Sequence, residues 1–111
     1  MFRSTDSIVR HMLDEADYLT GASRNLSKER FLDDETLKRA FVRSLEIIGE
    51  AARSLPDEFR KQNPGIEWRA IVGLRNKLIH AYFSVDYEIV WDVVRTDIPL
   101  LKSELEATRV S

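Results

Sequence analysis

Cysteine is absent from the 111-residue sequence, and glycine, proline and histidine are scarce, with four, three and two copies respectively. Without cysteine there is no disulfide framework, no thiolate zinc site and no cysteine nucleophile. Two histidines leave little for a metal centre, so neither a metal site nor a cofactor is expected. The scarcity of glycine and proline favours long helices joined by short turns.

Long apolar runs are also missing. The first 30 residues carry a charged side chain every few positions, which is untypical of a signal peptide or a membrane helix. The sequence therefore predicts a cytoplasmic protein without a membrane partner. Its length fits one domain with one core, spanning residues 1–111.

The net charge of −2 argues against a nucleic-acid binder when taken alone, because phosphate contacts are made by Lys and Arg. The charge is unevenly spread, however. Residues 53–80 hold six basic and three acidic side chains, whereas the segments on either side are net acidic. A local basic surface is therefore expected around this middle segment.

The apolar periodicity predicts an all-α fold: an up-and-down bundle of four long helices plus a short helical turn. The four helices are expected at residues 5–22, at 33 or 34–55, at 67–81, and from Ser84 or Asp86 onward. The short turn follows Pro56. Pro99 lacks a backbone N–H, so a kink or break is expected between Arg95 and Ile98.

The second helix carries a stripe of alternating charge formed by Arg43, Glu46, Glu50 and Arg53. One interpretation is a solvated face with spaced ion pairs. The other is that Glu46 or Glu50 orients an arginine on a neighbouring helix.

The third helix contains such an arginine. Arg75 projects into the middle of an apolar face, where an unpaired charge would cost several kcal/mol if buried. Asp97 likewise projects onto the apolar side of the last helix, so Asp97 is a possible partner. Arg75 is predicted either to extend its charge to solvent or to be held by a carboxylate.

Arginine and histidine suit metal-free RNA cleavage, since one stabilises charge on the phosphorane and the other moves a proton near neutral pH. On an ideal helix Arg75 and His80 lie about 140° apart, whereas Asn76 and His80 lie nearly on one face. One straight helix does not direct all three at one point. Either the helix ends near His80, or a second copy of the domain completes the site.

The spacing Arg75-x4-His80-x-Tyr82 resembles the signature of the HEPN superfamily. Four surrounding segments, in the same order, are similar to its HepT-like branch: 43–51 (RSLEIIGEA), 68–76 (WRAIVGLRN), 85–91 (VDYEIVW) and 97–101 (DIPLL). The resemblance covers nearly the whole chain.

This resemblance implies a helical domain that forms a homodimer through the motif helix, with two motifs lining one cleft. It implies a metal-independent endoribonuclease, the toxin of a type VII-like toxin–antitoxin pair. The antitoxin would be a minimal nucleotidyltransferase, in a complex that can be a higher hetero-oligomer. Arg75 and His80 would carry cleavage with Asn76 as a helper, and AMP addition to Tyr82 would silence it.

Two other hypotheses remain open at this stage. The chain could be a non-catalytic helical module that binds a nucleotide or a nucleotidyltransferase, which agrees with its net negative charge. It could also be a structural dimer in which Arg75 only pairs with Asp97 or Glu50.

Overall fold

Two long helices form the centre of the fold in the computed structural model, which describes residues 4–79 and 84–108. Helix α1 spans Thr5–Ser23 and helix α3 spans Glu35–Ser54. Ser4 begins α1 with a reciprocal capping box, and the Asp34 carboxylate accepts the Leu37 N–H at 3.0 Å at the start of α3. Both helices lie where the periodicity predicts them.

Shorter helical elements complete the chain. In order they are α2 (Lys28–Leu32), α4 (Asp57–Gln62), α5 (Trp68–Val72), α6 (Leu74–Leu78), α7 (Tyr87–Asp92), a π-helical segment (Val93–Asp97) and α8 (Ile98–Thr108). The all-α prediction is confirmed for the described residues, which contain one isolated β-bridge and no named strand. The predicted turn after Pro56 is α4.

The core lies between α1, α3 and the C-terminal helices. Helix α1 packs against α3 and α8, while α3 also contacts α5 and α6. The periodicity directs one apolar face of α3 inward, and of that face Phe41, Leu45, Ile48 and Ala52 are buried, whereas Leu37 is only partly buried. Burial of this apolar face is what stabilises α3, because propensity alone contributes little to a helix in a protein.

Helix α2 is too short for periodicity to indicate. Ser27 caps it, and Phe31 is fully buried, with its ring 4.9 Å from that of Phe41 and 5.3 Å from that of Trp91. Aromatic contacts of this kind add to the area that they bury. Phe31 therefore anchors the connection between the two long helices.

The prediction of one continuous helix over residues 67–81 is wrong. This segment is divided at Gly73, where φ is −88° and ψ is 8°, far from the helical ψ of about −42°. The second half ends at Leu78, because Ile79 is extended. Only two of the four predicted long helices are thus continuous.

The last helix is interrupted where Pro99 predicts. The Ile98 N–H bonds to the Val93 carbonyl, an i→i−5 pattern that defines the π-helical segment just before Pro99. Because proline cannot donate to the Arg95 carbonyl, the α-helical ladder is broken at this point. The Arg95 side chain donates from Nη1 to the Ser23 carbonyl oxygen at 3.1 Å, and this bond ties the segment to the end of α1.

Candidate active site

An ion pair between two helices marks the candidate site. Arg75 Nε on α6 lies 3.6 Å from Glu46 Oε2 on α3. The Arg75 side chain is 65% exposed and that of Glu46 is 23% exposed. The charged stripe of α3 can be interpreted either as a solvated face or as the source of a glutamate that orients an arginine on a neighbouring helix. Glu46 agrees with the second interpretation, because it pairs with Arg75 on α6.

Glu50 follows the other interpretation. Its carboxylate lies 4.0 Å from Arg43 on its own helix, and both side chains are largely exposed. A surface pair of this kind contributes only about 0–1 kcal/mol to stability. Glu50 is therefore not the partner of Arg75.

The projection of Arg75 into the middle of the apolar face is wrong, whereas the prediction that this arginine extends its charge to solvent or is held by a carboxylate is confirmed. The inward direction of this segment is set by Ile71, Leu74 and Leu78, all of which are buried. Trp68 and Val72, which shifted the predicted face toward Arg75, are only partly buried. Because Leu74 points into the core, the next residue, Arg75, projects about 100° further around the helix axis. Arg75 therefore lies at the edge of the core.

The predicted burial of Asp97 is also wrong. Its side chain is 54% exposed, and its carboxylate lies 3.9 Å from Lys77 Nζ and not beside Arg75. The π-helical segment accounts for the error, because its wider turn changes the angular position of residues near its end. Asp97 consequently is not the partner of Arg75.

Gly49 brings α3 and α5 close together. A Cβ atom added at Gly49 would lie 3.1 Å from the Ile71 carbonyl oxygen, closer than ordinary van der Waals contact. The absent side chain lets the two backbones approach, so that α6 continues beside Glu46. Sequence reasoning missed this role, although a glycine in the middle of a long helix is a signal for it.

A polar groove of about 310 Å³, the Arg75 groove, opens beside the Arg75–Glu46 ion pair. It brings together five of the residues singled out in the sequence, Glu46, Glu50, Arg53, Arg75 and Asn76, and is completed by Gly49 and Val72. Two arginines and two glutamates balance its charge. The groove can hold a polar ligand against the Arg75 guanidinium.

The residues at the end of α6 pair with the described segment that begins at Ser84. Ile79 pairs with Val85 in an antiparallel β-bridge, and the Asp86 N–H donates to the Leu78 carbonyl oxygen at 3.0 Å. Helix α6 ends at Leu78, which agrees with the predicted alternative that the motif helix ends near His80. His80 and Tyr82 themselves lie outside the described residues.

Residues 4–79 and 84–108 contain no group of three or more His, Asp or Glu side chains arranged to hold a metal ion. Within the same ranges, none of the helices has the length and apolar character needed to cross a membrane.

Comparison with known proteins relates the chain to ribonucleases. The family described as "Ribonuclease HepT-like" matches residues 12–108. A protein of Caldanaerobacter subterraneus named "Putative RNase TTE0752" is 45% identical over 98 residues, 88% of either chain. "Probable ribonuclease HepT" of Thermococcus cleftensis is 38% identical over 109 residues, 98% of this chain and 99% of that protein. No solved structure matches the chain significantly.

The matched range contains α3, α5 and α6, and hence every residue of the Arg75 groove. It also contains the complete Arg75-x4-His80-x-Tyr82 spacing. The chain belongs to the HepT-like ribonuclease family.

Proposed function

We propose that the chain is a metal-independent endoribonuclease in which Arg75 and His80 carry cleavage. Membership of a ribonuclease family supports RNase activity and implies an RNA substrate. The observation that carries the proposal is the position of Arg75, which lies at an open polar groove and not in the core. A phosphate in the groove can therefore reach its guanidinium.

In the proposed reaction, the ribose 2'-oxygen forms a bond to the adjacent phosphorus while the bond to the 5'-oxygen breaks. His80 moves the proton from the 2'-hydroxyl to the leaving 5'-oxygen. Arg75 stabilises the negative charge that builds on the phosphorane. The products are a strand ending in a cyclic phosphate and a strand beginning with a 5'-hydroxyl.

Glu46 and Asn76 support these two residues. Glu46 is a positioning residue, since its carboxylate holds Arg75 by the Nε atom. Asn76 follows Arg75 on α6 and lines the same groove, where its amide can bond a phosphate or ribose oxygen. Cleavage thus depends on a pair of helices held at a fixed distance by the Gly49 contact.

The biological setting that we propose is a toxin–antitoxin pair. The site would be composite, with two copies of the chain forming a homodimer in which both motifs face one cleft. A minimal nucleotidyltransferase antitoxin would add AMP to Tyr82, and the added phosphate and nucleoside would block the entry of RNA. The motif spacing supports this part of the proposal.

The decisive experiment is cleavage of a labelled RNA by purified protein in EDTA, compared with His80→Ala and Arg75→Met. Both variants are expected to lose at least a hundredfold in rate, in line with the loss of a general acid–base group or an electrostatic stabiliser. Arg39→Met is the matched control, because Arg39 is exposed on α3 and does not line the Arg75 groove. Equal residual cleavage by the wild type and both variants would refute the assignment.

Stability measurements separate a catalytic from a structural Arg75. Because the Arg75 side chain is 65% exposed, Arg75→Met should change the free energy of unfolding by less than about 1 kcal/mol. A large loss of stability with wild-type cleavage would identify the arginine as structural.

Intact-mass measurement after co-expression with a candidate minimal nucleotidyltransferase antitoxin tests the proposed silencing. AMP-sized increments are expected on the wild type and not on Tyr82→Phe. Increments on a protein that never cleaves RNA would instead favour the non-catalytic module. The absence of increments on the wild type would contradict silencing at Tyr82.

A further inference from the structure

A second groove adjoins the Arg75 groove and is predominantly basic. It is lined by Arg53, Arg60, Lys61 and Arg69, with Asp57 as its one acidic side chain. Asp57 is paired with Arg60 at 2.5 Å, so the charge of Arg60 is partly balanced. The remaining three cations are exposed, and this surface carries the positive charge of residues 53–80.

The two grooves form one continuous surface. Arg53, Val72 and Asn76 line both of them, and Arg53 therefore lies at the junction. Arg69 on α5 and Arg75 on α6 are six residues apart, one in each groove. A chain of phosphates that passes Arg75 can continue directly onto the basic surface.

The shape of the second groove suits an extended polymer more than a small molecule. It is shallow and open, and its aromatic wall is Trp68, which is partly buried. The Trp68 indole N–H donates to the Asn63 carbonyl oxygen at 3.0 Å, which holds the ring in place. A positive groove with a fixed aromatic side chain is the common arrangement for binding single-stranded nucleic acid.

We propose that Arg53, Lys61 and Arg69 form a phosphate-binding track that holds a single RNA strand to one side of the cleaved bond. The proposal rests on the proposed ribonuclease function and extends it to how the substrate is positioned. The three residues bind by charge, so they contribute affinity and register and little sequence preference. Local positive charge along the track also explains how a protein of net charge −2 binds RNA.

The test is a triple variant, Arg53→Gln with Lys61→Gln and Arg69→Gln. Its matched control removes three exposed arginines elsewhere, Arg24→Gln with Arg30→Gln and Arg39→Gln, none of which lines either groove. Both triples change the net charge equally. Thermal unfolding of both confirms that each is folded before binding is compared.

Binding of a fluorescent single-stranded RNA is measured by anisotropy at several salt concentrations, with His80→Ala in every protein to prevent cleavage. Each lost phosphate contact lowers the salt slope by about 0.7, so the track triple should lose about 2 units of slope. Its affinity at low salt should fall at least tenfold, and the control triple should stay within threefold of its parent. In proteins that retain His80, the track triple should raise KM more than it lowers kcat.

Equal slopes and affinities for the two triples would overturn the track. A wild type that does not bind single-stranded RNA would overturn it too. Failure of the proposed function is distinguishable from these results. It would appear as RNA binding that depends on the track without any cleavage by the wild type.

Discussion

Replacing Gly49 by alanine tests the contact that sets the distance between α3 and the α5–α6 segment. The new Cβ atom would lie 3.1 Å from the Ile71 carbonyl oxygen, so one backbone must move by a few tenths of an ångström. The atom in the way belongs to a helical backbone and not to the end of a flexible side chain. Relief of the contact therefore requires a shift of α5 against α3.

Two opposing effects determine the size of the change. Alanine gains about 1 kcal/mol over glycine in a helix interior. Overpacking of a close contact costs about 1–3 kcal/mol. We therefore expect Gly49→Ala to lower the free energy of unfolding by about 0–2 kcal/mol, the difference between these two ranges.

Gly21→Ala is the matched control. Gly21 also lies in a long helix, α1, but an added Cβ atom would have no other atom within 4 Å. Here only the gain in helix propensity remains, reduced because the position is near the helix end. We expect this variant to raise the free energy of unfolding by up to about 1 kcal/mol.

Urea unfolding of both variants, followed by circular dichroism, measures the difference. The control should be more stable than Gly49→Ala by up to about 3 kcal/mol, without a change in m-value. Equal stabilisation of the two variants would refute the close approach. Because a shift of α5 carries α6 with it, Gly49→Ala should also weaken cleavage, which the control should not do.

Three further predictions concern neighbouring contacts. Glu46→Gln should lower cleavage several-fold by loosening the adjacent arginine, whereas Glu35→Gln, which alters a carboxylate on the same helix outside the Arg75 groove, should not; equal rates in a single-turnover assay would contradict the positioning role. Ser44 is 3% exposed and donates to Glu15 Oε1 at 2.7 Å, so Ser44→Ala should cost about 1.5–3 kcal/mol in urea unfolding, and a cost below about 0.5 kcal/mol would disprove that bond. Burial, followed by the charge of Glu15, raises the pKa of Tyr18 above 10.0. A raised phenol pKa gives stability that is present below the unfolded pKa and lost as pH rises through the folded pKa, so above pH 10 unfolding measurements should show a steeper loss in the wild type than in Tyr18→Phe.

Most of the secondary structure follows from local rules that the sequence displays directly. Asp34 caps α3, and the four-residue spacing of Phe41 and Leu45 orients that helix, because burial of a periodic apolar face decides its rotation. The position of the interruption before Pro99 follows equally from one missing N–H. The all-α class was therefore predictable, and the motif spacing with its flanking segments indicated the family.

The orientation of the site residues was not predictable in the same way. Projection on one ideal helix placed Arg75 in the core because it assumed a straight axis and gave Trp68 the weight of a buried residue. The break at Gly73 and the burial of Leu74 changed both assumptions. Such details depend on how neighbouring helices pack, which no local spacing records.

The sequence by itself determined the helical class, the cap and breaker positions, the basic middle segment and the residue types of the motif. Only the tertiary structure decided that Glu46, and not Asp97 or Glu50, holds Arg75. Only it showed that Gly49 allows this pairing, and that Arg53 joins the Arg75 groove to a basic surface. The physical reason is that local patterns fix which face of a helix is apolar, whereas the partners of exposed charges depend on the distance and angle between helices far apart in sequence.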